Sequence, residues 1–213
     1  MKIVCISDTH NSHRDVEIPN GDILIHAGDF SFQGEPRVYR DADKWFGELP
    51  HKYKFIIAGN HDFNFYRHKW KNAIPLCDSG MVIDGVRFWG SPYSPTFGNW
   101  AWMKDRGDEI AKHWKMIPDN TDVVIAHGPA YELGDKTPPR WGSVNAGCYD
   151  LGLALDRIKP KLFVCGHIHN GYGKYERKGA VYVNASVCNE DYDPINPAIV
   201  VNLEPPAKEE RND

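Results

Sequence analysis

Short apolar runs recur along the chain, and most of them stop abruptly at a polar group. The first, Lys2–Ser7, halts at Asp8-Thr9-His10, and the second, Asp22–Ala27, halts at Gly28-Asp29. Runs of this length, rich in β-branched residues and flanked by turn formers, predict strands. Val38, Ala42, Trp45, Phe46 and Leu49 then recur at helical spacing, with Glu35-Pro36 as the helix start and Pro50 as its stop. A third strand, Tyr53–Ala58, halts at Gly59-Asn60-His61-Asp62. Residues 63–70 are aromatic and basic with no readable period.

Beyond them, Met81–Ile83 and Val86–Trp89 flank Asp84-Gly85, a hairpin signal. A Gly- and Pro-rich aromatic loop spans Ser91–Trp102. Ile110, Trp114 and Ile117 mark a helix that ends before Pro118, and the strand Asp122–Ala126 halts at His127-Gly128-Pro129. Residues 130–147 form a long irregular loop, a length that is usually functional or mobile inside a compact domain. Cys148, Leu151, Leu155 and Ile158 give a helix ending before Pro160. The strand Lys161–Cys165 halts at Gly166-His167-Ile168-His169. A hairpin about Lys178-Gly179, with Ala180–Asn184 as its second arm, and a last strand over Ala198–Leu203 complete the pattern. Strands alternating with helices and interspersed with hairpins predict an α/β domain with mixed sheets over residues 1–203, and a polar, disordered tail over 204–213.

Composition narrows the class. The 213 residues are 41% hydrophobic and 25% charged, ordinary for a globular chain. A net charge of −4 offers no field for nucleic acid or membrane, so neither is expected as a partner. No apolar run reaches membrane-spanning length, and the opening residues read as a strand, not a leader. Five cysteines form no CxxC pair, and three sit in apolar runs. That usage points to free thiols in a reducing, cytoplasmic setting.

Chemistry collects at the strand ends. They carry Asp8 and His10, then Asp29, then Asn60 and His61, then His127, then His167 and His169. In open α/β sheets, ligands gather outside the carboxyl ends of strands. Each residue alone has an ordinary structural explanation as a cap, a turn former or a satisfied histidine. His61 set aside, two carboxylates, an amide and four imidazoles exceed what one ion needs and suit two ions sharing Asp29. Mixed oxygen and nitrogen ligation without cysteine points to two divalent ions, Mn²⁺ first, with Fe, Zn, Ni, Co or Mg open. Paired ions lower the pKa of a shared water toward ~7 and clamp an in-line displacement at phosphorus. Metal-assisted phosphoester hydrolysis is the expected chemistry.

The ordered set Asp8-x-His10, Gly28-Asp29, Gly59-Asn60-His61-Asp62, His127-Gly128 and Gly166-His167-x-His169 resembles the calcineurin-like metallophosphoesterase family. The resemblance implies two mixed sheets packed as a sandwich with helices outside, four layers in all, and a binuclear site at one edge. It implies Asp8, His10, Asp29 and His169 around the first metal, and Asp29, Asn60, His127 and His167 around the second. His61 would protonate the leaving oxygen, with Asn60 and Asp29 completing the catalytic set. Wider features, among them Asn170-Gly171-Tyr172-Gly173 and Asn184-Ala185-Ser186, resemble a narrower branch. That branch includes the vertebrate brain metallophosphoesterases and is similar to the class III cyclic nucleotide phosphodiesterases. Some vertebrate members carry Gly where this chain has His167, so a fully competent second site is expected here.

One departure bears on substrate. Family protein phosphatases follow their Gly-Asp with an Asp-Arg pair that orients the acid histidine and grips phosphate. This chain has Phe30-Ser31-Phe32-Gln33 instead. Fewer cations favour a small-molecule phosphodiester, such as a cyclic nucleotide or nucleotide-like diester, over a phosphoprotein or other monoester. The orienter of His61 is then open, with Asp62 as a candidate. Asn11 and His13 are candidate contacts to phosphate or sugar, and Asn99 and Trp102 in the aromatic loop are candidate contacts to a base. Solvated loop or core packing remain alternatives for all four. Arg140-Trp141 could close over substrate, His26 reads as a core histidine, and His51, His68 and His113 read as surface. The rival functions are a phosphomonoesterase or nuclease of the same family, and a nucleotide-binding regulator with negligible turnover.

Overall fold

A computed structural model describes residues 1–204; the expected disordered tail lies, but for Glu204, outside the described residues. In chain order the elements are β1 (Lys2–Ile6), β2 (Ile23–His26), α1 (Pro36–Glu48), β3 (Tyr53–Ile56), β4 (Ile74–Pro75), β5 (Ser79–Ile83), β6 (Val86–Ser91), β7 (Ser94–Pro95), β8 (Met103–Lys104), α2 (Asp108–Lys115), β9 (Val123–Ala126), α3 (Tyr149–Ile158), β10 (Leu162–Cys165), β11 (Gly173–Arg177), β12 (Ala180–Asn184) and β13 (Ile199–Asn202). One large sheet runs β13-β1-β2-β3-β4 and a second β11-β12-β10-β9-β6-β5, while β7 and β8 pair as a separate two-stranded ribbon. Both large sheets are mixed: β1, β2, β3 and β4 are parallel with β13 antiparallel. β6, β9, β10 and β12 are parallel, with antiparallel hairpins at both edges.

The apolar runs explain this stacking. Alternate side chains of β1, β2 and β3 (Ile3, Cys5, Ile23, Ile25, Phe55) meet those of the second sheet (Val86, Phe88, Val123, Ile125, Leu162, Val164) in one central core. The opposite faces also need cover, because residues alternate along a strand. Val4, Ile6, Leu24 and Ile56 pack under α1, whose Tyr39, Ala42, Trp45 and Phe46 form its buried face. Val124, Phe163 and Cys165 pack under α2 and α3. Each fully buried large side chain is worth ~1.5–3 kcal/mol, so layers of this kind dominate the stability. The result is the expected four-layer sandwich.

The strands stop sooner than the apolar pattern does. β1 ends at Ile6 and β2 at His26 because Asp8 (φ 54°) and Asp29 (φ 57°) turn into the left-handed region just beyond. Residues 63–70 hold a single 3₁₀ turn, Phe65–Arg67. Phe65 is buried among Phe30, Tyr39 and Trp70, so this stretch is core for the outer face of the first sheet. Both hairpins turn on paired left-handed residues, Asp84-Gly85 and Lys178-Gly179, as two-residue turns of this kind require.

Candidate metal centre and active site

Five parallel strands of the two sheets deliver their carboxyl ends to one seam. β1 supplies Asp8 and His10, β2 Asp29, β3 Asn60 and His61, β9 His127, and β10 His167 and His169. Asp8, His10, Asp29 and His167 all have positive φ, at 54°, 39°, 57° and 69°. Asp, Asn and His tolerate this conformation best among residues with side chains, and its cost is borne where the surroundings fix it. Here it swings each side chain back over the strand ends. Gly59 and Gly166 are needed for a different reason: a Cβ on Gly59 would overlap Asp29 Oδ1, and one on Gly166 would overlap Asp8 Oδ2 and Ser7 Oγ.

The polar atoms converge in three overlapping groups: Asp8, His10 and His169; His10, Asp29 and His61; and Asp29, His127 and His167. His169 Nε2 lies 3.4 Å from both Asp8 Oδ1 and His10 Nε2. His127 Nε2 lies 3.2 Å from Asp29 Oδ2 and 3.0 Å from Asn60 Oδ1. Donors held at about 2.0–2.2 Å by a common divalent ion sit roughly 3–3.5 Å from one another, so these sets fit metal ions. Asp29 belongs to two groups, as a shared ligand must. Ring orientation is fixed from outside: His127 Nδ1–H donates to the Ala27 carbonyl and His169 Nδ1–H to the Asn189 carbonyl, each at 2.8 Å. Such outer contacts leave Nε2 for a ligand. Asp8 accepts from the His167 N–H at 3.0 Å and from Ser186 Oγ at 2.8 Å.

Without metal, the charges compensate one another. Burial would raise the Asp29 carboxyl, but His127, His61 and His10 hold it far below the usual range. Asp8 is likewise held low, mainly by His169. Burial would lower His127 and His169, yet Asp29 and Asp8 respectively raise each to about 9. His10 is pushed down to about 4 and His167 to about 3, chiefly by burial.

His61 stands apart from these in its partners. Its Nδ1–H donates to the Phe32 carbonyl at 2.9 Å, and its own N–H donates to Asp29 Oδ1 at 2.8 Å. Asp62 is not its orienter. That carboxylate is fully buried and turned away, accepting from the N–H groups of Phe30, Ser31 and Gly59, from Ser31 Oγ and from Tyr39 OH. His61 opens into a cavity of about 460 Å³, whose wall includes Asp29, Asn60, His167, His169, Phe97 and Trp100.

A family model described as calcineurin-like phosphoesterase matches residues 1–171. The chain belongs to that family. The calcineurin-like phosphoesterases are generally binuclear, metal-dependent phosphoester hydrolases. Over 96% of this chain and 72% of theirs, metallophosphoesterase domain-containing protein 1 of Homo sapiens and that of Mus musculus are each 37% identical to it. Among solved structures, the phosphopantetheinyl hydrolase from Mycobacterium tuberculosis is similar in fold, with a TM-score of 0.63 at 13% identity over 96% of both chains. None of the described helices is long and apolar enough to cross a membrane.

The seven expected metal ligands and His61 of this calcineurin-like chain are thus brought together, but the four expected substrate contacts are not. His13 is buried, with Nε2 at 2.9 Å from Asp41 and its ring against Trp45. Asn11 is exposed and does not line the cavity, and neither does Asn99. Trp102 turns inward between Tyr66 and Tyr93, and its Nε1–H donates to the Asp62 carbonyl at 2.9 Å. Its loop does reach the site, through Phe97 and Trp100 instead. Trp141 lines the cavity, while Arg140 binds Glu190 of the facing loop. His26 is core, with Nε2 at 3.0 Å from Thr9 Oγ1. His51 and His113 are not surface residues: His51 is buried on the Pro19 carbonyl, and His113 pairs with Asp78 at 2.6 Å. His68 is also largely covered, 3.7 Å from Asp43. Sequence reasoning missed Tyr192, whose ring stands edge-on to His10 at 4.7 Å, as well as Arg106. Neither lies in a strand-end motif.

Proposed function

We propose that this chain is a metal-dependent phosphodiesterase acting on small, nucleotide-like diesters. The observation that carries the reading is the wall of the cavity into which His61 opens. Phe97, Trp100, Trp141 and Tyr192 supply aromatic surface, and Arg106 is the one Lys or Arg among the lining residues. Its guanidinium donates to the Ala146 and Gly147 carbonyls, both at 2.7 Å. A monoester dianion calls for more positive side chains, whereas a diester carries one charge fewer and a second, organic arm to stack on the rings.

Asp8, His10, Asp29 and His169 would hold one divalent ion, and Asp29, Asn60, His127 and His167 a second. Bound there, the ions would supply Lewis-acid polarisation of phosphoryl oxygen and a more acidic water, with Mn²⁺ the first choice. The protein's own part is placement and proton transfer. Nδ1–H of His61 is engaged by Phe32, so the proton given to the departing ester oxygen sits on Nε2. As the P–O bond to that oxygen breaks, water's oxygen becomes the new phosphorus substituent, one of its two protons leaves to solvent, and His61 regains a proton from solvent before the next turnover. The aromatic wall excludes bulk water from one side. A cytoplasmic setting belongs to the same proposal and rests on the use of cysteine.

The test is turnover by metal-stripped protein refilled with Mn²⁺, on a p-nitrophenyl diester, the matching monoester, and 2′,3′- and 3′,5′-cyclic nucleotides. Metal-dependent diester turnover exceeding that of the monoester is expected. No metal-dependent turnover of any diester would sink the proposal, and faster monoester turnover would transfer it to a phosphatase.

A further inference from the structure

His61 lacks the carboxylate that orients the acid histidine in the family's protein phosphatases, and Asp62 does not replace it. A single hydrogen bond to the Phe32 carbonyl fixes one atom of the ring and leaves rotation about that contact open. The face of the ring is held by something else. The Trp100 ring packs against it at 4.3 Å between centroids and 37° between planes, while His10 meets it edge-on at 4.9 Å and 85°.

Trp100 is itself delivered by bonds on either side of His61. The Ala101 N–H donates to the Asn60 carbonyl at 3.1 Å, and Trp102 Nε1–H donates to the Asp62 carbonyl at 2.9 Å. Residues 100–102 therefore run alongside residues 60–62, stapled at positions 60 and 62, with Trp100 brought onto the residue between them. The inner end of the staple is the half-buried Trp102 ring, packed edge-on against Tyr66 at 4.9 Å. Phe63 backs Trp100 at 6.3 Å. An indole face also attracts a ring that carries positive charge.

We infer that Trp100 is a positioning residue for His61, anchored through Trp102, and that this aromatic staple does the orienting work of the missing carboxylate. The inference rests on the phosphodiesterase reading for its kinetic consequence, though not for its structural one. Its chemical content is narrow: the pair aims the Nε2 proton at the departing oxygen, and it matters most when that oxygen is a poor leaving group.

The experiment compares wild type, Trp100→Leu, Trp100→Phe, Trp102→Phe and His61→Ala on methyl aryl phosphates running from dinitrophenol to phenol as leaving group. General acid catalysis contributes roughly 10²–10⁴-fold, so a mispositioned acid should lose about tenfold or more on the phenyl ester. Trp102→Phe is expected to lose that in kcat on the phenyl ester and little on the dinitrophenyl ester. Trp100→Leu, which also removes part of the cavity wall, should show the same steepening of kcat with leaving group, toward that of His61→Ala, on top of a rise in KM shared by all the esters. Trp100→Phe should recover most of the loss. Trp102 does not line the cavity, so a loss at Trp102→Phe cannot come from substrate stacking.

The second arm does not need turnover. Long-range ¹⁵N–¹H correlation of the histidines in metal-free protein should show Nδ1 of His61 held protonated on the Phe32 carbonyl in wild type, whether or not Nε2 also carries its proton, and Nδ1 and Nε2 averaged in Trp100→Leu. Variants that keep both the wild-type leaving-group dependence and the wild-type tautomer overturn the inference. So does an equal rise in KM for every ester with kcat unchanged, which would make Trp100 a binding surface only. If wild type turns over no diester, the functional proposal fails by itself, and the tautomer decides this inference alone.

Discussion

In the metal-free protein, two of the four imidazoles assigned to the metals carry a second proton at neutral pH and two do not. His127 and His169 face Asp29 and Asp8 at 3.2 and 3.4 Å and are raised to about 9. His10 and His167, pushed down to about 4 and 3, are already neutral, and both carboxylates are already ionised. A metal requires neutral imidazole, so loading must displace the protons on His127 and His169. The sign follows: below pH 9 protons compete with metal, and apparent affinity rises as pH rises toward 9. Calorimetric titration with Mn²⁺ near pH 7 in buffers of different ionisation enthalpy should show about two protons released from these side chains for two ions bound. Release of none would mean that those protons are absent. At this scale the sequence was readable in residue type more than in direction. The motifs named every side chain of the cluster, but His13, three residues after His10, points into α1 because the left-handed turns at His10 and Asn11 reverse the chain.

Elements were legible where an apolar run was long enough to have a period, and the site was legible because its residues sit where such runs stop. β4, β7 and β8 were not, since two-residue strands carry no pattern. Nor were the Phe32 and Asn189 carbonyls that orient His61 and His169, because any residue offers a carbonyl and only the path of the loop decides where it points. Asp62 shows how that path is held. Its carboxylate ties the loop after β2 to the loop after β3 through three backbone N–H groups, Ser31 Oγ and Tyr39 OH. The first of these loops presents both Asp29 and the Phe32 carbonyl. Asp62→Ala would leave several buried donors without partners, each costing about 1–3 kcal/mol. A loss of roughly 3 kcal/mol or more is expected, about 6–12 °C in Tm for a chain of this size. Activity should fall with good and poor leaving groups alike, because Asp29 shifts along with His61. A Tm within 2 °C of wild type, read by calorimetry, would show that the loops hold without it.

At the scale of the molecule, the metal centre lies across the seam of the sandwich. Asp8, His10, Asp29 and Asn60 come from the first sheet, and His127, His167 and His169 from the second. Below the seam the sheets share one apolar core, while at the seam the polar cluster is held by its compensating charges and by hydrogen bonds to the surrounding loops. Each group of ligands that would share an ion includes residues of both sheets, so a bound ion acts as a cross-link between layers, absent from the unfolded chain. An ion at a hundred times its Kd stabilises by about 2.7 kcal/mol, so two give roughly 5 kcal/mol. At about 2–4 °C per kcal/mol for a chain of this length, a rise in Tm of roughly 10–20 °C between chelator-treated and Mn²⁺-loaded protein is expected. Sharing of Asp29 makes the rise divisible in a specific way. His167→Ala removes one ligand of the group with His127 and leaves Asp8, His10 and His169 intact, so about half the rise should persist. Asp29→Asn weakens both positions and should abolish most of it. Each rise is read against the same variant without metal, so any change in the metal-free fold cancels. A full rise in Asp29→Asn would place the ions elsewhere, and an equal loss in both variants would mean that the two positions fill only together.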